Sequence, residues 1–450
     1  MKPDLLKYAS QEVPRYTSYP TAPHFHAGVD RDCYANWLGE LPATAPLSLY
    51  VHIPFCEKMC WYCGCHTNVV NGYDRVQQYI KDLFAEMDLV ANAGAGKAGE
   101  VAHLHFGGGS PSLLHGSDFA TIVRYLRERF NFAKSIEIAI EIDPRTMGQG
   151  KAQAYAKAGV TRASLGVQDF NLHVQQKINR IQPPELVKKQ VDELRQNGIN
   201  AINFDLIYGL PTQSLDDIRR TLDIAIPMQP DRFAVFGYAH VPWFKKHQEM
   251  IKSGDLPGVT ARIKQADLVA DLLVAAGYVR IGFDHFAKAD DALGIAVKQR
   301  RVRRNFQGYT DDDCDILIGF GASSISALPQ GYVQNNPQMG HWRKSVQAGE
   351  LPVARGLMLD DHDKFLRAAI MQVLSRGDLD ANAHCQKWNQ PANALDDALA
   401  QLAPLAADGL IKITGKTLQI LPEGIRFSRN IAACFDSHWK PKARRHSLAV

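Results

Sequence analysis

Six short apolar runs alternate with segments of helical periodicity between residues 48 and 276. The runs that predict strands lie at 48–53, 101–106, 136–142, 162–167, 202–209 and 232–238. The segments that predict helices lie at 73–93, 117–130, 151–159, 185–197, 215–227 and 260–276. This rhythm predicts a parallel sheet covered by helices. Right-handed crossovers favour a partial (β/α)6 barrel, although an open, doubly wound sheet fits the same pattern, and in both folds ligands bind at the carboxyl ends of the strands.

The two ends of the chain lack this alternation of apolar runs and helical segments. Residues 1–45 are rich in proline, tyrosine and threonine and show little periodicity, so we expect an irregular N-terminal arm ahead of an α/β domain at 46–357. From 358 to 450, helical segments lead into two short strand-like runs, LIKITG and TLQILP. This order predicts a mostly helical, winged-helix-like C-terminal domain.

Composition and charge narrow the class of protein. With 450 residues, 46% of them hydrophobic and 22% charged, the chain can fill one large core and a second, smaller one. The net charge of +4 is too small to indicate nucleic acid as a partner. The chain carries neither a signal-peptide pattern nor a run of eighteen apolar residues. We therefore expect a cytoplasmic protein without membrane insertion, and we expect a monomer.

Half of the eight cysteines lie within ten residues, directly after the first predicted strand. Their spacing is Cys56-x3-Cys60-x2-Cys63-x-Cys65, and such clustering indicates a metal site. If three thiolates bind three irons of an iron–sulfur cube, the fourth iron keeps an open position for a ligand. The alternative is a structural zinc ion bound by all four cysteines, but the single-residue gap before Cys65 makes tetrahedral closure awkward.

The same segment resembles a known family. YVHIPFCEKMCWYCGC is similar to the cluster loop of radical S-adenosylmethionine (SAM) enzymes, and in particular of the oxygen-independent coproporphyrinogen III oxidases. The resemblance continues in the family's order through PRYTSYP, HFGGGSPS, IEIDP, GVQDFN, NFDLIYGLP, YAHVP, DHFA, RNFQGY and GASSIS. It implies a radical SAM barrel and an oxidoreductase of haem biosynthesis. Such an enzyme converts two propionates of coproporphyrinogen III to vinyl groups, giving protoporphyrinogen IX, by a 5′-deoxyadenosyl radical and without oxygen.

The resemblance also assigns residues to the cofactors. Cys56, Cys60 and Cys63 match the ligands of one [4Fe–4S] cluster, and Cys65 matches a cysteine that is needed for activity without binding iron. The positions that match contacts of the cluster-bound SAM are Tyr50, Gly108, Glu141 and Ile325. The positions that match contacts of a second SAM are Tyr62, Gly109, Ser110, Gln168, Arg180, Asp205 and Ala239, with Phe306 near the adenine.

A substrate with four carboxylates needs cations. A dense basic run at 298–304 precedes Phe306, although runs of charge are often simply solvated. We take Arg301 and Arg304 of this run, and Arg15 of PRYTSYP, as candidates for binding substrate. The N-terminal arm is then a candidate lid over the site. The implied reaction also needs a reductant for the cluster and an electron acceptor as partners.

Three other functions share parts of this pattern. Related haem chaperones tend to carry an HNxxYW-type segment and to lack the last cysteine of the loop, whereas here Arg304 replaces the histidine and Cys65 is present. A radical SAM haem-degrading methyltransferase would diverge first in PRYTSYP and RNFQGY, and both are intact. A nucleic-acid-binding winged helix would need a basic recognition helix, which the C-terminal segment lacks. The residues favour the oxidase.

Overall fold

The computed structural model describes residues 5–439. Its strands are β1 Leu47–Ile53, β2 Phe55–Cys56, β3 Asn68–Val69, β4 Val101–Gly108, β5 Phe132–Ile142, β6 Arg162–Gln168, β7 Ala201–Tyr208, β8 Arg232–Gly237, β9 Val279–Ile281, β10 His285–Ala287, β11 Arg303–Asn305, β12 Gly308–Thr310, β13 Ile316–Phe320, β14 Ile325–Leu328, β15 Gly331–Asn335, β16 Val353–Met358, β17 Asp378–Asp380, β18 Ile411–Thr414 and β19 Thr417–Ile420. All six predicted strands of the barrel are confirmed, as β1 and β4 to β8.

The predicted helices between these strands are also confirmed, as α3, α4, α5, α7, α8 and α9 of the following set. The helices are α1 Leu6–Ala9, α2 Arg31–Gly39, α3 Asp74–Asn92, α4 Gly116–Arg127, α5 Lys151–Ala158, α6 Leu172–Lys177, α7 Pro184–Gln196, α8 Leu215–Ala225, α9 Val259–Ala275, α10 Ala292–Lys298, α11 Met339–Gln347, α12 Asp361–Arg376, α13 Ala381–Lys387, α14 Asp396–Gln401, α15 Ala403–Ala407 and α16 Ser428–Ala433. Within residues 5–439, no helix combines the length and the apolar character needed to cross a bilayer.

The order of the parallel strands decides between the two folds that the sequence left open. The strands β1-β4-β5-β6-β7-β8 are neighbours in chain order, and each adjacent pair is parallel. In a doubly wound sheet the order of the strands reverses part-way across the sheet, and here it does not. When every crossover has the same hand and leads to the next strand in the same direction, all the crossover helices lie on one face of the sheet. The fold is therefore a partial (β/α)6 barrel.

Short strands extend this barrel at both sides. β13 pairs in parallel with β1, and β14, β15 and β16 continue from it in antiparallel order. On the other side β10 and β9 follow β8, also antiparallel. The twelve-stranded sheet formed by the described residues thus ends at β16 and β9. The sequence analysis did not predict these strands, because runs of three to six residues carry too little periodicity.

The main core lies between the sheet and its helices. Helix α3 buries Val76, Ile80, Leu83 and Met87, which are spaced as one helical face. Nearly every residue of β1 is buried, as is usual for a parallel strand covered on both faces.

The N-terminal arm is more ordered than its sequence suggests. It contains helix α2, which begins after Asp30, whose side chain accepts a hydrogen bond from the Cys33 amide. Tyr16 and Tyr19 are fully buried in a second core, which the arm shares with the C-terminal region. The expected irregular arm is therefore partly helical, and its packing depends on tertiary contacts rather than on local periodicity.

The C-terminal region contains the predicted elements. Helix α12 precedes the predicted hairpin, which is confirmed as β18 and β19. A third strand that the sequence did not predict, β17, pairs with β19 and completes a small antiparallel sheet. The boundary at 358 and the winged-helix-like character of this domain stay predictions.

Candidate active site

The cysteine loop, residues 54–67, leaves the carboxyl end of β1. Cys56 ends β2, and its Sγ accepts a hydrogen bond from the Thr67 hydroxyl at 3.1 Å. The Cys65 amide donates to the Sγ of Cys63 at 3.4 Å, and a side-chain hydrogen bond from Cys65 lowers the pKa of Cys63 to about 7. Such donors stabilise the thiolate, which is the form of cysteine that binds metals.

A second loop, residues 241–250, packs against the cysteine loop. The side chains of Lys245, His247 and Gln248 donate hydrogen bonds to backbone carbonyls within residues 62–65, at distances of 2.8, 2.7 and 2.9 Å. Sequence reasoning missed these residues, because no local motif relates them to cysteines some 180 positions earlier. They hold the backbone of the cysteine loop in place.

The arrangement of the loop fits an iron–sulfur cluster better than a zinc ion. A tetrahedral zinc ion with Zn–S bonds of about 2.3 Å would bring its sulfur ligands within about 4 Å of one another. Among residues 5–439, a triple of metal-ligating side chains whose donor atoms lie within 4.8 Å of one another occurs at His103, Asp312 and Cys314, and not in the cysteine loop. Soft thiolates held farther apart suit a cluster, in which each thiolate binds a different iron.

The glycine turn after β4 docks directly onto the cysteine loop. The Gly109 amide donates to the Ile53 carbonyl at 2.9 Å, and the Ser110 amide donates to the Phe55 carbonyl at 2.8 Å. A Cβ atom on Gly109 would lie only 2.7 Å from the Phe55 carbonyl oxygen. Gly108 adopts a φ of 114°, which favours glycine. The turn therefore needs glycine in order to approach the loop closely.

Glu141, near the end of β5, lies beside this turn. Its carboxylate accepts hydrogen bonds from the Gly108 amide at 3.2 Å and from His105 Nε2 at 3.1 Å. The Tyr50 ring stacks on His105, and the Tyr50 hydroxyl lies 3.0 Å from His52 Nδ1. Burial lowers the pKa of His52 to about 4, so this imidazole is neutral at pH 7. These contacts bring Tyr50, Gly108 and Glu141 together, and their contact with SAM stays a prediction.

Arg180 joins the cysteine loop to the end of β5 through a buried ion pair. Its guanidinium donates to Asp143 at 3.1 and 3.3 Å, to the Gly166 carbonyl at 2.6 Å, and to the Sγ of Cys60 at 3.5 Å. Arg145 also donates to Asp143 and to the Sγ of Cys60. Burial alone would raise the pKa of Asp143, but the two arginines outweigh it and lower the pKa to about 2. The buried Nε of Arg180 has no hydrogen-bond acceptor among the described residues, so it remains able to donate to a ligand.

The remaining SAM candidates lie along the same edge of the sheet. Asp205 on β7 accepts hydrogen bonds from Ser164 at 2.9 Å and Asn203 at 2.8 Å, and burial raises its pKa to about 6. The other positions are Tyr62 in the cysteine loop, Ser110 after β4, Gln168 at the end of β6, Ala239 after β8 and Ile325 at the start of β14. Because β14 runs antiparallel to β13, its first residue lies at the carboxyl end of the parallel strands.

A cavity of ≈ 170 Å³, here called the arginine cavity, opens at the carboxyl ends of β7 and β8. Its arginines are Arg15, Arg262, Arg280, Arg304, Arg426 and Arg429. The acidic side chains of its lining are Asp267 and Asp284, and Phe306 also lines it. Six guanidinium groups against two carboxylates make the cavity strongly positive.

Two of the three predicted substrate residues face this cavity and one does not. Arg304 is buried on β11, and its guanidinium lies 4.7 Å from the ring centre of Phe283 and 4.5 Å from that of Tyr309. Arg15 also lines the cavity, and its guanidinium donates to the Gly237 carbonyl at 3.2 Å. Arg301 instead donates to the Gln299 side chain at an exposed turn. Arg301 therefore lies outside the lining of this cavity, and its role in binding substrate stays a prediction.

Sequence reasoning missed four arginines of the cavity, Arg262, Arg280, Arg426 and Arg429. They come from α9, from β9 and from the C-terminal region, so no motif in the chain brings them together. Burial, followed by the charge of Arg15, lowers the pKa of Arg429 to about 9. Both effects disfavour the charged form of the Arg429 guanidinium at this position.

Comparison with known proteins agrees with this geometry. The Radical SAM superfamily matches residues 50–225. An oxygen-independent coproporphyrinogen III oxidase of Bradyrhizobium diazoefficiens is 47% identical to this chain, and the match covers 100% of both proteins. The enzyme of the same name from Salmonella typhimurium is 38% identical over 99% of this chain and 97% of its own. The solved structure of coproporphyrinogen III oxidase from Escherichia coli, described as a radical SAM enzyme, superposes with a TM-score of 0.90 at 35% identity, over 95% of this chain and 100% of that one. With these motifs, this fold and this full-length identity, the chain belongs to the oxygen-independent coproporphyrinogen III oxidases of the radical SAM superfamily.

Proposed function

We propose that this protein oxidatively decarboxylates two propionates of coproporphyrinogen III to vinyl groups, giving protoporphyrinogen IX without oxygen. The relatives at 47% and 38% identity carry the name of this activity. The observation in the structure that carries the proposal is the position of the arginine cavity. It opens at the same edge of the barrel as the cysteine loop, where a substrate with four carboxylates would meet both features.

The cofactors of the radical SAM family are a [4Fe–4S] cluster and SAM. We propose Cys56, Cys60 and Cys63 as the cluster ligands, and two SAM molecules bound by the residues that the resemblance assigns. When bound, the cluster and SAM supply the low-potential electron and the radical that abstracts hydrogen. The guanidinium groups of Arg145 and Arg180 donate to the Cys60 sulfur and so fix the position of this proposed ligand. Arg180 Nε remains as a donor for the carboxylate of a SAM molecule.

The substrate step proposed here balances without oxygen. A hydrogen atom leaves the propionate carbon next to the ring. The bond to the carboxylate carbon then breaks, carbon dioxide leaves, and one electron passes to an outside acceptor as the vinyl group forms. The protein contributes orientation and exclusion of water, through the arginine cavity and the Phe306 side chain in its wall.

Cys65 is proposed to be catalytic rather than a cluster ligand. Its amide donates to the Cys63 sulfur, and its carbonyl accepts from Lys245. Both of these contacts use the backbone, so they persist whatever the side chain is. The Cys65 thiol donates a hydrogen bond to Cys63, and we propose that this thiol has a role in turnover rather than in holding the loop.

The test is anaerobic reconstitution with iron and sulfide, followed by reduction in the presence of SAM and coproporphyrinogen III. We expect both 5′-deoxyadenosine and protoporphyrinogen IX. If neither forms, the proposed function is wrong. A haem titration on the same sample tests the chaperone alternative, which stoichiometric haem binding without turnover would favour.

We also propose two partners, a reductant for the cluster and an electron acceptor, because the reaction requires both. Cytoplasmic location and the monomeric state stay predictions from the sequence. Size-exclusion chromatography with light scattering tests the latter against the chain mass of 50.0 kDa.

A further inference from the structure

We propose that His103, Asp312 and Cys314 form a separate metal site, which binds a zinc ion at the end of the barrel opposite the cysteine loop. Among residues 5–439, these are the metal-ligating side chains that meet as a triple, with their donor atoms within 4.8 Å of one another. They supply one imidazole nitrogen, one carboxylate oxygen and one sulfur. The site lies away from the radical chemistry, so the inference stands independently of the proposed function.

The strand order places this triple at the amino end of the barrel. His103 lies near the start of β4, two residues before His105, so both side chains face the side of the sheet on which His105 contacts Glu141. Asp312 and Cys314 come just before β13, which is parallel to β1, as β4 is. The amino ends of parallel strands meet at one edge. The seven residues of β1 separate this edge from the cysteine loop by about 20 Å.

The spacing of the donor atoms suits a single ion. The Nε2 atom of His103 lies 3.6 Å from Oδ1 of Asp312, which exceeds the length of an ordinary hydrogen bond, about 2.7–3.2 Å. Zinc bonds of about 2.0–2.2 Å to nitrogen and oxygen hold two tetrahedral ligands about 3.4 Å apart. The Cys314 sulfur lies within 4.8 Å of both donors and reaches its zinc-bound distance from them by a shift of about 1 Å or less.

The Asp312 carboxylate is held in place by its neighbours. Its Oδ2 atom accepts a hydrogen bond from the Ser48 hydroxyl at 2.5 Å, and its Oδ1 atom accepts one from the Cys314 amide at 2.8 Å. Hydrogen bonds of this kind orient the carboxylate ligands of metal sites. Here they fix the carboxylate beside His103 and keep the two ligands of the 311–315 segment together.

The His103 imidazole is available for a metal. Within the part of the chain that the structure describes, its ring nitrogens form no hydrogen bond, and its ion-pair partner is Asp312. Its side chain is 25% exposed, so an ion can reach it from solvent. A neutral imidazole with a free ring nitrogen is the form of histidine that binds metals.

The acidic run at 311–315 supplies charge for a divalent cation. Asp311 pairs with Arg232 at 3.0 Å, and Asp315 pairs with Arg303 at 2.7 Å, so arginines offset these two carboxylates. Asp312 has no lysine or arginine partner within residues 5–439. Its negative charge therefore remains to offset that of a bound ion.

The ligand types favour zinc over the hard divalent cations. Magnesium and calcium prefer sites made of oxygen atoms, whereas thiolate and imidazole ligands suit zinc. The Cys314 thiol releases its proton to solvent as the ion binds. Three protein ligands leave a fourth position for water. The bound ion joins β4 to the segment before β13 at the amino end of the barrel, where residues serve stability rather than catalysis.

The test uses the full-length protein with its cluster reconstituted, so that iron already occupies the cysteine loop. Zinc is added, unbound zinc is removed by gel filtration, and both metals are counted by elemental mass spectrometry. X-ray absorption at the zinc edge then identifies the ligands. The variants are Cys314→Ser and His103→Gln, each of which removes one ligand. The matched control is Cys33→Ser, because Cys33 is also a partly buried free cysteine.

We expect the wild type to retain a single zinc ion, with one sulfur ligand at about 2.3 Å and lighter ligands at about 2.0–2.2 Å. Each ligand variant is expected to bind zinc at least about 100-fold more weakly, because loss of a residue that merely supports a ligand already costs about 10–100-fold. Cys33→Ser should bind zinc like the wild type. Zinc should also raise the urea midpoint of the wild type and of Cys33→Ser, but not of Cys314→Ser.

Three results would overturn the proposal. The first is a wild-type protein that retains no zinc, and the second is equal retention by Cys314→Ser and His103→Gln. The third is a shell of three or four sulfur atoms, which would place the zinc in the cysteine loop instead. None of these results bears on the proposed decarboxylation, which the reconstitution assay with SAM and coproporphyrinogen III tests separately.

Discussion

Replacement of Asp143 by asparagine should destabilise the protein substantially at neutral pH. The pKa of Asp143 falls from its ordinary 3.8 to about 2 in the folded protein. Each pKa unit corresponds to about 1.4 kcal/mol, so the ionised carboxylate contributes about 2 kcal/mol. Asp143→Asn also leaves Arg180, which is 5% exposed, without its carboxylate partner. Loss of one partner of a buried pair typically costs about 3–5 kcal/mol, so we expect a loss of about 3 kcal/mol in total.

The assay is urea unfolding of the cluster-free, full-length protein, followed by circular dichroism. A matched control is Asp192→Asn, because Asp192 forms an exposed pair with Lys188 on α7. An exposed pair is worth less than about 1 kcal/mol, so the control should unfold near the wild-type midpoint. Equal midpoints for Asp143→Asn and Asp192→Asn at pH 7 would refute the reasoning.

The pH dependence gives a second, independent check on Asp143. Because its folded pKa is depressed, the stabilisation is fully present above the unfolded value near 4 and is lost as the pH falls through about 2. The difference in stability between wild type and Asp143→Asn should therefore narrow between pH 4 and pH 2. A constant difference over that window would show that the ion pair is not its source.

Three further predictions concern the cysteine loop and the arm. Gly109→Ala should abolish cluster loading, because its Cβ would overlap the Phe55 backbone. We expect the absorbance near 400 nm, which reports the cluster, to fall to ~0–10% of the wild-type value. Normal loading would contradict the importance of this close approach. Cys65→Ser should keep the cluster spectrum but lose turnover, and loss of the cluster would make Cys65 a ligand instead. Tyr16→Phe should lower the free energy of unfolding by about 1–2 kcal/mol, because the Tyr16 hydroxyl donates to Asp436 at 2.9 Å; an unchanged urea midpoint would show that this bond adds no stability.

The sequence by itself determined the elements of the barrel and the identity of the cluster loop. Strand β4 and helix α3 are long enough to carry their period within their own residues, so both could be predicted locally. Four cysteines lie within ten residues of one another, so one short segment is enough to indicate a metal site. The resemblance to a known family added the cofactors and the substrate class to these local signals.

Only the tertiary structure decided the strand order and the charged site. Periodicity is the same in a singly and a doubly wound sheet, so the order β1-β4-β5-β6-β7-β8 had to be observed. In the basic run, Arg304 points into the cavity from β11 while neighbouring Arg303 is exposed, since adjacent strand residues face opposite sides. The arginine cavity draws on positions from 15 to 429. Charges this far apart in the chain become one site only where folding brings them together, and no local pattern records that.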